Sequence, residues 1–104
     1  MKLKTLDRIR SDLASGQFEF SRHAFRRAVE RNVAESEIMA AGKDAVIIED
    51  YPDDKYSPSC LLLGFALAGR PLHIQVSRQE ADKVRIITLY EPNEEEWVRF
   101  RERR

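Results

Sequence analysis

The sequence predicts an α+β fold with two to three N-terminal helices, a four-stranded antiparallel sheet and a C-terminal helix. Apolar residues recur at helical spacing near the start of the chain, as at Leu6, Ile9 and Leu13. Further along, the pattern changes to short runs that are rich in β-branched residues or alternate between apolar and polar, which is typical of strands. Short loops join these runs, and consecutive strands joined in this way pair antiparallel.

Helices are predicted in the first part of the chain. The first covers residues 3–14. The second begins after Ser21, a good N-cap, and runs to about Arg31. A third, shorter helix covers residues 35–41, because Gly42 is a typical stop signal. The second helix has a single apolar stripe, formed by Ala24, Phe25, Ala28 and Val29.

Strands and a final helix are predicted for the rest. The strands cover residues 45–48, 60–67, 72–77 and 84–90. Gly64 indicates a β-bulge or a close approach of another segment, because glycine inside a strand usually has such a reason. Prolines and aspartates make residues 51–58 a loop. Asn93 followed by Glu96 predicts a capping box for a C-terminal helix that carries Trp97.

Composition predicts one soluble domain over residues 1–104, because this length suits a single domain and 35% of the residues are charged. No apolar run approaches the ~20 residues that a membrane-spanning helix needs. The N-terminus lacks the apolar core of a signal peptide. A lone cysteine, Cys60, cannot form an internal disulfide. We therefore expect a cytoplasmic protein with no membrane association.

The charge is balanced overall but uneven along the chain. Residues 1–31 hold eight basic against four acidic residues, and residues 32–58 hold two against seven. The net charge of zero counts against a strong stand-alone nucleic-acid binder, which is usually basic. The uneven distribution is consistent with a basic and an acidic face, but ordinary surface charge is the preferred interpretation.

A polar face is predicted on the third and fourth strands of the sheet. If Gln79 and Val84 flank the loop between them, the opposed pairs are Ser77 with Ile86, Gln75 with Thr88, and His73 with Tyr90. The apolar partners, Leu72, Ile74, Val76, Ile87 and Leu89, then lie on the other face, which can pack against helices. The polar face is either a binding or catalytic surface or a solvent-facing surface with no such role.

A second group of polar residues lies along one side of the predicted second helix. His23, Arg27 and Arg31 are spaced four residues apart and therefore form one stripe. Guanidinium groups match phosphate oxygens, so this stripe could hold a phosphate. In the alternative interpretation, favoured by spacing alone, the arginines pair with acidic side chains of residues 44–54, or His23 hydrogen-bonds a loop.

Other chemistry is not indicated. His23 and His73 lie far apart in the sequence and no cysteine pair exists, so we expect no metal site. No glycine-rich phosphate loop occurs, and we expect no cofactor. Cys60 lies in an apolar run, which favours an inert core thiol over a nucleophile.

Several sequence strings resemble a known family. They are Phe20-Ser21-Arg22-His23-Ala24 with Arg27 and Arg31, Tyr51-Pro52-Asp53-Asp54, Pro58-Ser59-Cys60 with the apolar run to Gly64, Arg70-Pro71-Leu72-His73, and Ile86 to Pro92 with Trp97. In this order they resemble the small bacterial family called domain of unknown function 4258, over about residues 18–100. That family is similar to the RelE/ParE- and BrnT-like toxins of bacterial toxin–antitoxin pairs.

The resemblance implies a metal-free endoribonuclease that cleaves mRNA and is bound by a cognate antitoxin, often a small zinc-finger protein. Under this hypothesis His73 and Tyr90 form the acid–base pair, with His23 as a further catalytic candidate. Arg27 and Arg31 hold phosphates, and Gln75 and Thr88 contact RNA. The two groups form one site only if the second helix borders the polar sheet face. The alternatives are a non-catalytic protein-interaction module and a subunit that homodimerises through the sheet edge.

Overall fold

The computed structural model describes residues 2–104 and has an α+β fold, as predicted. Its helices are α1 (Leu6–Ala14), α2 (Arg22–Glu30) and α3 (Glu35–Lys43). Its strands are β1 (Phe18–Phe20), β2 (Val46–Tyr51), β3 (Ser59–Phe65), β4 (Pro71–Ser77), β5 (Val84–Tyr90), β6 (Trp97–Val98) and β7 (Glu102–Arg103). None of the helices within residues 2–104 is both long enough and apolar enough to cross a membrane.

The main sheet has five strands in the order β1-β5-β4-β3-β2, rather than the predicted four. The additional strand, β1, pairs parallel with β5, so the sheet is mixed and not purely antiparallel. Three residues are too few to show a strand period, which is why sequence reasoning missed β1. The other pairings are antiparallel, as predicted.

The predicted C-terminal helix is wrong: β6 and β7 form a hairpin instead. Asn93 does cap a turn, since its side-chain oxygen accepts a hydrogen bond from the backbone N–H of Glu95 at 2.8 Å. The helix cannot continue because Arg99 and Phe100 have φ values of 53° and 64°, in the left-handed region. Burial of Trp97 against the sheet stabilises the hairpin, and a local capping signal carries no information about that contact.

The core lies between the helices and one face of the sheet. Ile9 and Leu13 of α1 and Ile38 of α3 pack with the alternating apolar residues of β3, β4 and β5. Gly64 is a point of close approach, because a Cβ added there would lie 2.1 Å from the Ala41 carbonyl oxygen. This confirms one of the two reasons predicted for that glycine.

Several predicted boundaries shift. Helix α1 begins at Leu6 after its N-cap Thr5, so it does not include residues 3–5. Gly42 lies inside α3 and does not end it, because the absence of a side chain there makes room for Leu13. Strand β2 extends to Tyr51, and β3 ends at Phe65 instead of residue 67.

The register between β4 and β5 is partly as predicted. His73 opposes Tyr90 and Gln75 opposes Thr88, which confirms these two pairs. The predicted pair of Ser77 with Ile86 is wrong, because a bulge shifts the register and Val76 opposes Ile86. Ile86 is therefore buried in the core, and Ile87, which was predicted there, is only half-buried.

Candidate functional site

One face of the sheet is turned away from the helices and carries polar side chains. Alternation along β4 buries Ile74 in the core and directs its neighbours to the opposite face. The cross-strand neighbours on β5 share that second face. The sequence-predicted residues that the structure brings together there are His73, Gln75, Thr88 and Tyr90.

A bulge in β2 adds two further side chains to this polar face. The register shifts between Ile47 and Glu49, so Ile48 is an extra residue in the strand. Ile47 packs against the core, and in a regular strand Glu49 would lie on the same side. The extra residue turns Glu49 and Tyr51 to the polar face instead.

His73 has no exposed surface, and both of its ring nitrogens are engaged. Its Nε2 lies 2.6 Å from the carbonyl oxygen of Phe100, and its Nδ1 lies 3.2 Å from the hydroxyl of Tyr90. A carbonyl can only accept a hydrogen bond, so Nε2 carries the proton in the neutral ring. Nδ1 is then free to accept the hydroxyl proton of Tyr90.

The β6–β7 hairpin covers His73. The Trp97 ring stands edge-on to the imidazole, with ring centroids 4.5 Å apart, and it is 2% exposed. The turn of the hairpin supplies the Phe100 carbonyl described above. Arg103 lies on the hairpin's second strand, and its guanidinium is 4.6 Å from the centre of the Trp97 ring.

Arg103 also connects the hairpin to β2. Its Nε and Nη2 donate to the two carboxylate oxygens of Glu49 at 2.9 and 3.1 Å, which is the fork-like geometry of a strong arginine–carboxylate pair. The Tyr51 hydroxyl donates to the same carboxylate. We call the five side chains of this region the polar cluster: Glu49, Tyr51, His73, Tyr90 and Arg103.

The surroundings shift the pKa of each member of the polar cluster. Burial lowers the pKa of His73. The hydrogen bond to Phe100 opposes this only in part, so the ring favours its neutral form. Burial raises the pKa of Tyr51 and of Tyr90, and the Glu49 carboxylate raises that of Tyr51 further.

Glu49 and Arg103 hold each other in their charged forms. Burial alone would raise the pKa of Glu49, but hydrogen bonds from Arg103 and Tyr51 outweigh it and lower that pKa below its ordinary value. Pairing with Glu49 raises the pKa of Arg103. The polar cluster therefore combines a neutral imidazole, two neutral phenols and a guanidinium that is held by the Glu49 carboxylate, which are groups suited to moving protons and stabilising negative charge.

A cleft of about 540 Å³ adjoins the polar cluster at the end of β2. It is lined by Tyr51, Pro52, Asp53, Asp54 and Gln75. The Gln75 amide donates to the Ser59 hydroxyl at 3.2 Å, and that hydroxyl donates to Asp54 at 2.7 Å. This chain of hydrogen bonds orients Gln75 in the cleft, whose carboxylates make it acidic.

The stripe on α2 lies away from the polar cluster. Ala24 of α2 joins the core on the helical side of the sheet, opposite the polar face. His23 and Arg31 are exposed, and Arg27 is half-buried with its guanidinium 3.6 Å from Glu30. Within residues 2–104, no hydrogen bond or ion pair joins these three side chains to the polar cluster, so the structure does not bring the two groups together. Within the same residues, Arg27 and Arg31 form no ion pair with the acidic residues of 44–54.

The structure also describes the surroundings of Cys60 and of the residue types that bind metals. Cys60 is fully buried in β3, and burial raises the pKa of its thiol to about 11, as is typical of an unreactive cysteine. Among the residues that the structure describes, no three histidine, cysteine or acidic side chains lie together in a way that could hold a metal ion.

Sequence reasoning did not assign Glu49, Tyr51, Trp97 or Arg103 to the site. The sequence predicts Glu49 only as a possible ion-pair partner for α2, and it predicts Tyr51 in a loop. The spacing of two residues between Glu49 and Tyr51 was an available strand signal. Arg103 lies 54 residues from Glu49 in the sequence, so no local pattern could connect them.

Comparison with known proteins identifies a family but no characterised relative. No curated protein and no solved structure shows significant similarity to this chain. The family described as Domain of unknown function (DUF4258) matches residues 20–91, which include α2, α3, the four strands β2 to β5, and every member of the polar cluster except Arg103. The match spans more than half of the sequence, and the chain therefore belongs to the family Domain of unknown function (DUF4258).

Proposed function

We propose that this protein is the toxin of a bacterial type II toxin–antitoxin pair and cleaves mRNA without a metal, at the polar cluster. The observation that carries the proposal is the convergence of acid–base groups and a fixed guanidinium on a sheet face that the helices leave open. Similarity to the RelE/ParE- and BrnT-like toxins, which the sequence motifs suggest, is part of the same proposal. Because the proposed substrate is mRNA, the proposal also has the protein act in the cytoplasm.

The hydrogen bond between Tyr90 and His73 supports a proton relay. In this proposal the RNA 2′-hydroxyl gives its proton to the Tyr90 oxygen, while Tyr90 passes its own proton to Nδ1 of His73. The lowered pKa of His73 keeps the ring neutral and able to accept it. His73 then acts through Tyr90, which is only half-buried, and does not need to touch the substrate.

Tyr51 and Arg103 suit the other half of the reaction. As the 2′-oxygen bonds to phosphorus and the bond to the 5′-oxygen breaks, the Tyr51 hydroxyl turns from Glu49 to the leaving 5′-oxygen and donates its proton there. Arg103 stabilises the negative charge on the phosphate oxygens. The products are a 2′,3′-cyclic phosphate and a free 5′-hydroxyl. Gln75 and Thr88 contact RNA beside this centre, whereas His23, Arg27 and Arg31 lie outside it.

The test is RNA cleavage in excess EDTA by the purified protein, with free RNA and with mRNA on translating ribosomes. Cyclic-phosphate ends are expected from the unaltered protein. Tyr90→Phe and Tyr51→Phe should each slow cleavage roughly 100-fold or more, because each removes one proton transfer. The matched control is Tyr56→Phe, since Tyr56 is 89% exposed and lies outside the polar cluster. Absence of cleavage in both arms would refute the proposal.

A non-catalytic interaction module is the second candidate. It is favoured by the carboxylates of Asp53 and Asp54 in the cleft beside the polar cluster, which would repel RNA phosphates. In that case the polar face binds a partner protein and the buried His73 is structural. The same assay separates the two, because a module of this kind cleaves RNA in no variant.

The proposal also names the partners. The first is a cognate antitoxin, which we expect to be a small zinc-finger protein. A homodimer through an open sheet edge is the alternative assembly, and β1 and β2 are the two edge strands. Co-expression with the neighbouring gene product, followed by analytical ultracentrifugation of the purified material, distinguishes a heteromeric complex from a homodimer.

A further inference from the structure

Two neighbouring apolar side chains on α2 are largely exposed to solvent in the described structure. Phe25 and Val29 are 59% and 66% exposed, and their spacing of four residues puts them side by side on the helix. They border a groove of about 290 Å³ whose other lining residues include Phe20, Ala28 and Val33. Single exposed apolar residues are common, but two adjacent ones along a groove are typical of an interaction surface.

The aromatic part of this groove is held in place from inside the protein. The rings of Phe20 and Phe25 meet edge to face with centroids 6.1 Å apart, and Phe18 meets Phe20 in the same way at 5.7 Å. This chain of rings starts on β1, which pairs with the central sheet. Phe25 is therefore supported by neighbouring rings although most of its surface is exposed, and a partner would meet an organised surface.

A row of arginines runs beside the apolar row. Helix geometry places Arg22 and Arg26 next to Phe25 and Val29, on the side away from the core. Both arginines are exposed, and within the described part of the chain neither forms an ion pair. The one acidic residue that lines the groove is Glu35, in the first turn of α3. The surface thus has an apolar strip flanked by positive charge.

We propose that this surface binds an amphipathic helix of another protein whose apolar stripe is flanked by acidic residues. Apolar residues of the partner would lie along Phe25 and Val29, and its carboxylates would face Arg22 and Arg26. Helix α2 has nine residues, a length of about 13 Å, so the partner helix would make contact over two to three turns. The surface lies on the helical side of the sheet, so binding there is independent of the proposed ribonuclease activity.

The aliphatic groove favours a protein over a single-stranded nucleic acid. Bases stack on flat aromatic rings, and of the groove's lining residues Phe25 alone is both aromatic and largely exposed. Ala28, Val29 and Val33 instead form a concave aliphatic wall, which accommodates leucine-like side chains. The nearby arginines then give the specificity for acidic partners.

The test uses two synthetic helical peptides of about 16 residues with the same leucine stripe. One peptide has glutamates along the flank of the stripe and the other has lysines there. Binding to the full chain is measured by fluorescence anisotropy at several salt concentrations. We expect the acidic peptide to bind at least about tenfold more tightly than the basic one, with the difference shrinking as salt rises.

Three variants connect the binding to the surface. The double variant Phe25→Ser/Val29→Ser should weaken binding of the acidic peptide at least about tenfold, and Arg22→Glu/Arg26→Glu should reverse the preference between the peptides. Leu67→Ser is the matched control, because Leu67 is an apolar residue that is 95% exposed outside the groove. All of these positions are exposed, so the variants should fold, which circular dichroism checks.

Four results would overturn the proposal. The first is failure of both peptides to bind, and the second is equal binding of both. The third is binding that the Phe25→Ser/Val29→Ser variant leaves unchanged. The fourth is loss, in that double variant, of self-association or of binding to a single-stranded oligouridylate, because the surface would then serve a second copy or RNA. None of these results affects the RNA-cleavage test of the polar cluster.

Discussion

Replacement of Trp97 by alanine tests whether the β6–β7 hairpin is the cover that keeps His73 buried. Trp97 is 2% exposed and lies edge-on to the imidazole. Loss of a buried tryptophan side chain typically costs about 3–5 kcal/mol. Small domains have total stabilities of about 5–15 kcal/mol, so the variant should remain mainly folded but lose a large share of its stability.

The same substitution should change the chemistry of His73. Water reaches the ring once the indole is gone, so the desolvation that lowers the pKa of His73 weakens. The pKa should rise toward the ordinary value of about 6.5. NMR titration of the imidazole resonances measures it, and a His23→Gln background removes the signal of the other histidine.

Stability is measured by circular dichroism during thermal and urea unfolding, because Trp97 is the sole tryptophan of the chain and its fluorescence is lost with it. A loss of this size corresponds to a fall in Tm on the order of 15–25 °C for a domain of this length. Trp97→Phe is the control, since it keeps an aromatic ring over His73 and should cost less. A Trp97→Ala variant within about 1 kcal/mol of the unaltered protein, with an unchanged His73 pKa, would refute the reasoning.

Three further predictions follow from the geometry of the core and the site. Gly64→Ala should cost about 3 kcal/mol or more by urea unfolding, because its Cβ would collide with the Ala41 carbonyl. Stability should fall as the pH drops below about 6.5, with His73 contributing at most about 1.4 kcal/mol per pH unit. The pKa of His73 is lower in the folded state than in the unfolded chain, so below about pH 6.5 the unfolded chain binds a proton that the folded protein does not. Cys60 should react with iodoacetamide only when the chain unfolds, since its thiol is buried and its pKa is about 11.

Each of these predictions has an outcome that contradicts it. Full stability of Gly64→Ala would mean that α3 can move away from β3 at little cost. An identical loss of stability between pH 7 and 5 in a His73→Gln variant would assign the slope to other groups. The Glu49 carboxylate cannot supply it, because its lowered pKa places its own effect below about pH 4.5. Fast alkylation of Cys60 in the native protein would show that β3 opens locally.

The β4–β5 pairing shows what the sequence can predict and where prediction stops. Clean alternation predicts that His73 and Tyr90 lie on one face of neighbouring strands, and that signal is local. The register counted from the loop gives their exact pairing only because the bulge between the loop and His73 offsets a one-residue error next to the loop. The bulge that brings Val76 opposite Ile86 has no local signal of comparable strength, so the register beyond Gln75 was missed. Bulges are decided by which residues best fill the core, which is a property of the assembled sheet.

The C-terminal hairpin is a case in which a strong local signal is overridden. Asn93 caps a turn as predicted, but burial of Trp97 and the pairing of Arg103 with Glu49 favour a hairpin over a helix. Both contacts join residues that are far apart in the sequence. For the same reason, no sequence pattern could connect Arg103 to the rest of the polar cluster.

The arrangement of the polar cluster also limits which residues can perform chemistry. His73, the residue that sequence reasoning places first, has no exposed surface and donates to the Phe100 carbonyl through Nε2. A substrate can therefore reach it only through Tyr90. If the relay operates, the loss of rate in Tyr90→Phe should not add to that in His73→Gln, because the two residues carry the same proton. Additive losses would mean that they act separately, and His73 would then be structural.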